Sequence, residues 1–255
     1  MTPDTSAHLS KKIILVTGGS SGIGRATALR LAQAGAHVIA CGRDEGRLAA
    51  LARELGGRGE CLHGDVAEPA EIARLMSEVT SRHGLLDGLV VNAGLSNAPA
   101  IDDLDIARYD RLMDVNVKGA VFTLVHALPL LAEGASVVFV GSVAGRKGQP
   151  GDALYAGSKG FIRAFARNLG TSPDLMARRI RVNVVSPGPI ETPLTEAAVA
   201  VPEIRSYVEN MIPMGHWGQA DEVAEAIAIL LSSAASFTTG AELTVDGGMA
   251  HVSGR

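Results

Sequence analysis

Two cysteines in 255 residues, Cys41 and Cys61, are too few and too far apart for a disulfide framework or a CxxC pair. Both lie in apolar, strand-like runs and are expected to be inert core thiols. The seven histidines include no two that stand three or four apart, so a helical zinc motif is absent and no metal is expected. Charge of one sign is lacking as well: 23 basic and 27 acidic residues are well mixed and sum to −4, so no basic patch invites nucleic acid. No apolar run reaches membrane-spanning length. Residues 1–10 are polar and lack the h-region of a signal peptide. No repeat, low-complexity tract or linker divides the chain. The expectation is a cytoplasmic globular protein with no nucleic-acid or membrane partner.

What the chain does have is apolar residues, 47% of the total, enough for a core of substantial size. After a flexible tail over residues 1–10, one domain is expected over 11–255. Residues 12–16 form a short, continuous apolar run, as in a strand covered on both faces. It leads straight into Thr17-Gly18-Gly19-Ser20-Ser21-Gly22-Ile23-Gly24 and then into a helical pattern ending at Ala34-Gly35. Strand, glycine turn and helix together make a phosphate cradle: glycines let the backbone approach a pyrophosphate, and the helix N-terminus offers free N–H groups and positive potential.

The pattern then repeats. A strand over 37–41 ends at Gly42-Arg43, a helix follows over 44–55, and a strand over 60–63 ends at Gly64-Asp65. A helix over 69–83 stops at Gly84, and a strand over 88–91 runs into Asn92-Ala93-Gly94. This alternation predicts an α/β fold with a parallel sheet and helices on both faces, and ligands at the carboxyl ends of the strands. Residues 115–131 are apolar nearly all round, broken by Asn116, Lys118, Thr123 and His126; a helix of that kind is buried on two sides. Further strands are expected over 136–141, 179–185 and 242–245, with a helix over 219–231. Between them, residues 193–217 are apolar and only loosely periodic, and the segment at about 189–217 is expected to cover a substrate.

The chemistry centres on residues 142–159. Ser142 follows an apolar strand, and Tyr155 and Lys159 stand four apart, on one face of a helix. A phenol has a reference pKa of about 10 and exchanges protons poorly at neutral pH. A nearby ammonium favours the phenolate. Bringing the phenol near pH 7 takes about three units, roughly 4 kcal/mol, which one buried cation with hydrogen bonds can supply. Ser142 can hold the oxygen that receives the proton. The set suits proton exchange with a carbonyl or alcohol oxygen, although Tyr and Lys at this spacing also occur together by chance.

Taken together, these residues resemble the short-chain dehydrogenases/reductases over nearly the whole chain, from about 12 to 248. The glycine loop has that family's TGxxxGxG spacing, and Asn92-Ala93-Gly94 is similar to its NAG element, with Val91 where an Asn usually precedes. Asn116, Ser142, Tyr155 and Lys159 fall where the family's catalytic tetrad falls. The resemblance implies a Rossmann-like doubly wound parallel sheet of about seven strands in the order 3-2-1-4-5-6-7. It implies an NAD(P)-dependent oxidoreductase interconverting a ketone or aldehyde and an alcohol. Tyr155 would be the general acid in reduction and the base in oxidation. Lys159 would lower its pKa and hold the nicotinamide ribose, Ser142 would orient the substrate oxygen, and Asn116 would support a proton-refilling water chain.

The implied cofactor contacts are Gly18, Ser20, Ser21, Gly22, Ile23 and Gly24 at the pyrophosphate, with Asp65 and Val66 at the adenine. Asn92, Ala93 and Gly94 follow, then Tyr155 and Lys159, and Pro187, Gly188, Ile190 and Thr192 on the nicotinamide side. Two simpler readings stand beside these: Asn116 as a polar break in a buried helix, and Asp65 as a helix N-cap. Gly42 stands where NAD-preferring relatives carry an acid, and the Arg43 guanidinium suits phosphate oxygens. NADP(H) is therefore favoured, with NAD(H) possible, since Ser20-Ser21 adds no basic residue and Asp44 lies next door. Arg43 as an ordinary solvated loop residue is the alternative. A homotetramer is expected, from the second apolar face of the 115–131 helix, from the small residues Ala156, Gly157, Gly160 and Ala164, and from an apolar tail of Met249, Ala250 and Val252. Two rival readings are a dinucleotide-binding regulator without catalysis and a sugar-nucleotide epimerase. An intact tetrad argues against the first; glycine spacing and chain length argue against the second.

Overall fold

The computed structural model describes residues 9–96, 101–148 and 152–250. The first half runs β1 (Ile13–Thr17), α1 (Gly22–Gln33), β2 (His37–Gly42), α2 (Glu45–Leu55), β3 (Gly59–His63), α3 (Pro69–His83) and β4 (Leu86–Val91). The second half runs α4 (Ile106–Met113), a π-helical turn (Asp114–Gly119), α5 (Ala120–Ala127), β5 (Leu131–Val140), α6 (Ala153–Leu169), α7 (Pro173–Ala177) and β6 (Arg181–Pro187). It closes with β7 (Ile190–Glu191), α8 (Glu196–Val199), α9 (Pro202–Met211), β8 (Gly218–Gln219), α10 (Ala220–Leu231) and β9 (Glu242–Val245). Seven strands pair in the order β3-β2-β1-β4-β5-β6-β9, each parallel to its neighbours. This is the expected sheet; its last strand is the ninth because the two-residue β7–β8 ribbon comes before it.

Alternate side chains on each strand face opposite sides, so the sheet divides the core in two. Leu15, Ile39, Leu89, Val137, Phe139 and Val184 pack with α3, α5 and α6. Ile14, Val16, Val38, Val90, Val138 and Val185 pack with α1, α2 and α10. Because both faces are covered, the strands read as unbroken apolar runs. Burial pushes the Cys41 thiol up to about 12 and the half-buried Cys61 thiol up to about 11, so neither is a ready nucleophile.

Three expectations need adjusting. Leu9 is already buried in the core, so the expected tail over 1–10 is too long; residues 1–8 lie outside the described residues. The helix expected over 115–131 is the rear of a longer helical run that begins at Ile106, and Leu131 already belongs to β5. Only Leu112 of α4 is buried, which is why no apolar periodicity announces that helix. Met249 is buried against Val143 and Ile212 of its own chain instead of forming an outward tail, and Val252 lies outside the described residues. No helix among the described residues is long and apolar enough to cross a membrane.

Candidate active site

The glycine loop between β1 and α1 leaves no room for a side chain at Gly18 or Gly24. Gly18 has φ +63, and a Cβ there would lie 2.8 Å from the Ala93 Cα. A Cβ on Gly24 would lie 2.2 Å from the Gly18 carbonyl oxygen and 2.5 Å from Asn92 Nδ2. Asn92 stitches the loop to the end of β4: its amide donates to the carbonyls of Thr17 (3.0 Å) and Gly18 (3.1 Å). In return, Thr17 Oγ1 accepts from the backbone N–H groups of Asn92 (3.0 Å) and Ala93 (3.3 Å). Ser21, the N-cap of α1, makes no side-chain cap, so the first-turn N–H groups are left for a ligand. A tightly packed glycine turn at a bare helix N-terminus fits a dinucleotide pyrophosphate.

At the end of β2, a Cβ on Gly42 would lie 2.8 Å from Ser20 Oγ, so a larger residue there would require the Ser20 side chain to turn aside. Arg43 is half exposed, its Nη1 3.4 Å from Asp65 Oδ2. Arg47 lines the same cleft and was not anticipated. Asp44, which might have reached a ribose hydroxyl, is occupied: Oδ1 accepts from the Arg47 backbone N–H (2.9 Å) and Oδ2 pairs with Arg47 Nε (3.2 Å). Asp65 lines the cleft with Val66, and its Oδ1 accepts from the Ala67 N–H (2.9 Å). The N-cap position of α3 is Glu68, so Asp65 shapes the preceding turn and does not cap the helix.

Ser142 follows β5, while Tyr155 and Lys159 stand on α6, whose N-terminus Asp152 caps by accepting from the Tyr155 N–H (2.7 Å). Lys159 is buried and donates from Nζ to the Val140 carbonyl (2.9 Å); burial lowers its pKa to about 8. Its Nζ lies 5.8 Å from the centre of the Tyr155 ring. Burial holds the Tyr155 phenol above its ordinary value, a hydrogen bond with Ser142 pulls it down, and the Asp152 charge raises it. The expected lowering by Lys159 is not seen in this arrangement; burial is the largest influence on the phenol.

Asn116 lies in the π-helical turn, a device frequent at functional sites. Its Oδ1 accepts from the Leu95 N–H (2.7 Å), and its Nδ2 donates to the Leu95 carbonyl (2.9 Å) and Ser158 Oγ (3.0 Å). It stands behind the cleft, bracing the turn after β4 against α6.

All these parts meet in one cleft of about 480 Å³ at the carboxyl ends of the strands. Every anticipated residue lines it except Gly24 and Asn116, which back its wall. Gly188 sits tightly against β9, where a Cβ would lie 2.8 Å from the Asp246 Cα, and this fixes the loop that brings Ile190 and Thr192 to the cleft. Thr195, also unanticipated, accepts from the Thr192 N–H (3.0 Å) and donates to the Ile190 carbonyl (2.6 Å).

A family model described as enoyl-(acyl carrier protein) reductase matches residues 18–250. The chain belongs to the short-chain dehydrogenase/reductase family. These are oxidoreductases that act on CH–OH or carbonyl groups. It is 36% identical to the cis-4-hydroxycyclohexanecarboxylate dehydrogenase of Sinomonas cyclohexanicum, over 95% of this chain and 98% of that one. It is 35% identical to the 3-oxoacyl-[acyl-carrier-protein] reductase FabG of Thermotoga maritima, over 95% of this chain and 99% of that one. Among solved structures, the RhlG/NADP active-site complex of Pseudomonas aeruginosa is similar, with a TM-score of 0.91, 32% identity, and coverage of 98% of this chain and 100% of that one.

On the open side of this dehydrogenase/reductase cleft lies the segment from β7 to β8. Leu194 lines the cleft and is half exposed. Ile212 turns inward against Val143 and Met249, with Val208 and Met211 partly buried beside them. Val201, Ile204 and Met214 remain exposed.

Proposed function

We propose that this enzyme interconverts a ketone or aldehyde and an alcohol, with Tyr155 as the acid–base and NADP(H) as the favoured cofactor. The glycine loop from Gly18 to Gly24, with Asn92, Ala93 and Gly94, would hold the dinucleotide. Pro187, Gly188, Ile190 and Thr192 would border its nicotinamide end. Bound there, the nicotinamide supplies or accepts the hydride. In reduction Tyr155 gives its proton to the carbonyl oxygen, and in oxidation it takes the proton from the alcohol. Ser142 holds that same oxygen, and the buried Lys159 ammonium stabilises the phenolate. Asn116 braces the wall behind Lys159, from where it would support proton refilling through water.

The observation that carries the reading is the meeting of Ser142, Tyr155 and the buried Lys159, its Nζ 5.8 Å from the Tyr155 ring, in one cleft whose far end is the glycine loop. Tyr155→Phe should keep the fold and cofactor binding and lose at least about 10²-fold in kcat, the scale for one acid–base group. Near-normal turnover in that variant overturns the assignment. Because the phenol sits above its ordinary value, the base form is scarce at neutral pH, so alcohol oxidation should speed up as pH rises and carbonyl reduction should not.

NADP(H) should be preferred over NAD(H) by about ten-fold or more in kcat/KM, since one charge-assisted pair contributes roughly 1.5–3 kcal/mol. Two guanidinium groups at the adenosine end, with Asp44 engaged elsewhere, support this. The half-exposed Leu194 at the cleft favours apolar or mixed substrates over highly charged ones. A steady-state screen of ketones and alcohols with both cofactors tests the substrate and cofactor readings together. Assembly as a homotetramer is supported by Phe122 and Val125 on α5 and Phe161 on α6, all exposed on the single chain. A monomer by light scattering at micromolar concentration would rule that out.

A further inference from the structure

We propose that Glu242 is a positioning residue for the reaction: its buried carboxylate ties the turn that carries Ser142 to the helix that carries Tyr155. The Glu242 side chain is 5% exposed and meets three partners from three elements. Oε1 accepts from Ser186 Oγ (2.8 Å), at the end of β6. Oε2 accepts from Arg163 Nε (2.7 Å) on α6 and lies 3.8 Å from Arg146 Nη1, just past the Ser142 turn.

Each partner bears on a reacting group. Arg163 continues the stripe of Tyr155 and Lys159 at four-residue spacing along α6. Ser186 is fully buried and lies against the backbone just before Ser142: a Cβ on Gly141 would be 2.7 Å from Ser186 Oγ. Arg146 ends the tight turn Val143–Gly145, in which a Cβ on Gly145 would lie 2.6 Å from the Gly160 nitrogen on α6. The turn and the helix touch without clearance, and one carboxylate draws both onto the end of the sheet. A buried carboxylate needs such partners, and here the partners also set the distance between Ser142 and Tyr155. The groups facing the phenol are Ser142, Lys159 and Asp152. Those facing Glu242 are Arg146, Arg163 and Ser186.

The inference rests on Tyr155 as the acid–base. Its test is the double variant Glu242→Gln/Arg163→Gln, which removes one charge of each sign and so leaves the net charge of the cluster unchanged. What it alters is the tether. Expected are a fall of about ten-fold in kcat for alcohol oxidation, the scale of a small misplacement, and a cofactor Kd within about two-fold. The acidic limb of the kcat profile should also move to higher pH, because a loosened Ser142 bond no longer holds the phenol down. A lower Tm with kcat and the limb unmoved overturns the proposal, since a merely structural ion pair would behave that way. If the double variant does not fold, Arg146→Gln cuts only the arm to the Ser142 turn and should shift the limb in the same direction; an unmoved limb there also overturns it. Near-normal turnover in Tyr155→Phe overturns this inference and the catalytic reading together. An inactive Tyr155→Phe beside an unaltered double variant overturns the Glu242 assignment alone.

Discussion

The glycine loop with α1, and the segment between β7 and β8 with α9, both adjoin the cleft's lining and are held in opposite ways. Six residues of α1 are buried, among them Gly24, Ala28 and Leu31, and its loop is fixed by close backbone packing and by Asn92. No residue of α9 is buried. That helix is held by Arg205, whose Nη2 reaches Glu191 Oε1 (2.6 Å) and whose Nε reaches Glu209 Oε1 (2.9 Å). Close packing leaves one arrangement available, whereas exposed ion pairs contribute little and are screened by salt. The glycine-loop side is thus rigid, and the segment that carries α9 can adapt.

Breaking the rigid side should give the largest effect. The Cβ of Gly24→Ala would meet backbone 2.2 Å away, which no side-chain rotation relieves. Overpacking costs about 1–3 kcal/mol, and here it falls on the phosphate cradle. Dinucleotide affinity, read by fluorescence titration of NADPH, should weaken about 10–100-fold. Affinity within two-fold of the unaltered protein would show that the loop is less constrained than its geometry says.

Next in size is cofactor choice. Arg43→Ala should erase most of the expected ten-fold preference for NADP(H) while leaving NAD(H) turnover nearly unchanged, because a charge-assisted pair is worth roughly 1.5–3 kcal/mol. Arg47→Ala should cost NADP(H) less, since Arg47 is partly committed to Asp44. Better use of NAD(H) by the native protein at equal concentration would refute the reading of Gly42-Arg43.

The same contrast explains what could be read from sequence. The glycine loop, the strands and the Tyr155/Lys159 pair were legible because their constraints are local: a spacing, an unbroken apolar run, a four-residue step. Arg47 was overlooked because nothing in its own neighbourhood marks it; it matters only because α2 starts at Glu45 and turns it back over the cleft. The π-helical turn at Asn116 has no period that a 3.6-residue pattern would reveal. At Asp65 only the N-cap alternative is decided: the residue lines the cleft and accepts from Ala67 but caps no helix. The 189–217 segment could be bounded but not resolved. Its apolar residues divide between inward (Ile212) and outward (Ile204, Met214), and that division is set by tertiary packing on Val143 and Met249.

The smallest effect should come from loosening the adaptable side. Arg205→Gln removes the ion pairs to Glu191 and Glu209 but keeps the helical backbone, and the Trp217 Nε1 contact to the Arg205 carbonyl (3.4 Å) does not involve the side chain. Because these pairs are exposed, Tm should fall by no more than about 2 °C. Glu191 is in β7, which pairs with β8 at the two ends of this segment, so the pair to Arg205 is one side-chain link, beside the Trp217 contact, that ties α9 to the base of its own loop. Without it the helix samples more open positions. The substrate then binds a surface organised for part of the time, which raises KM by roughly the inverse of that fraction. A rise of about two- to five-fold in KM is expected, with kcat nearly unchanged and cofactor Kd unaltered, since neither Arg205 nor any other residue of α9 lines the cleft with the glycine loop. Raising the salt concentration should raise the KM of the native protein towards that of the variant while moving the variant little, because screening weakens the same pairs. A variant with native KM at every salt concentration would mean that packing on Val143 and Met249, not the Arg205 pairs, holds α9 in place.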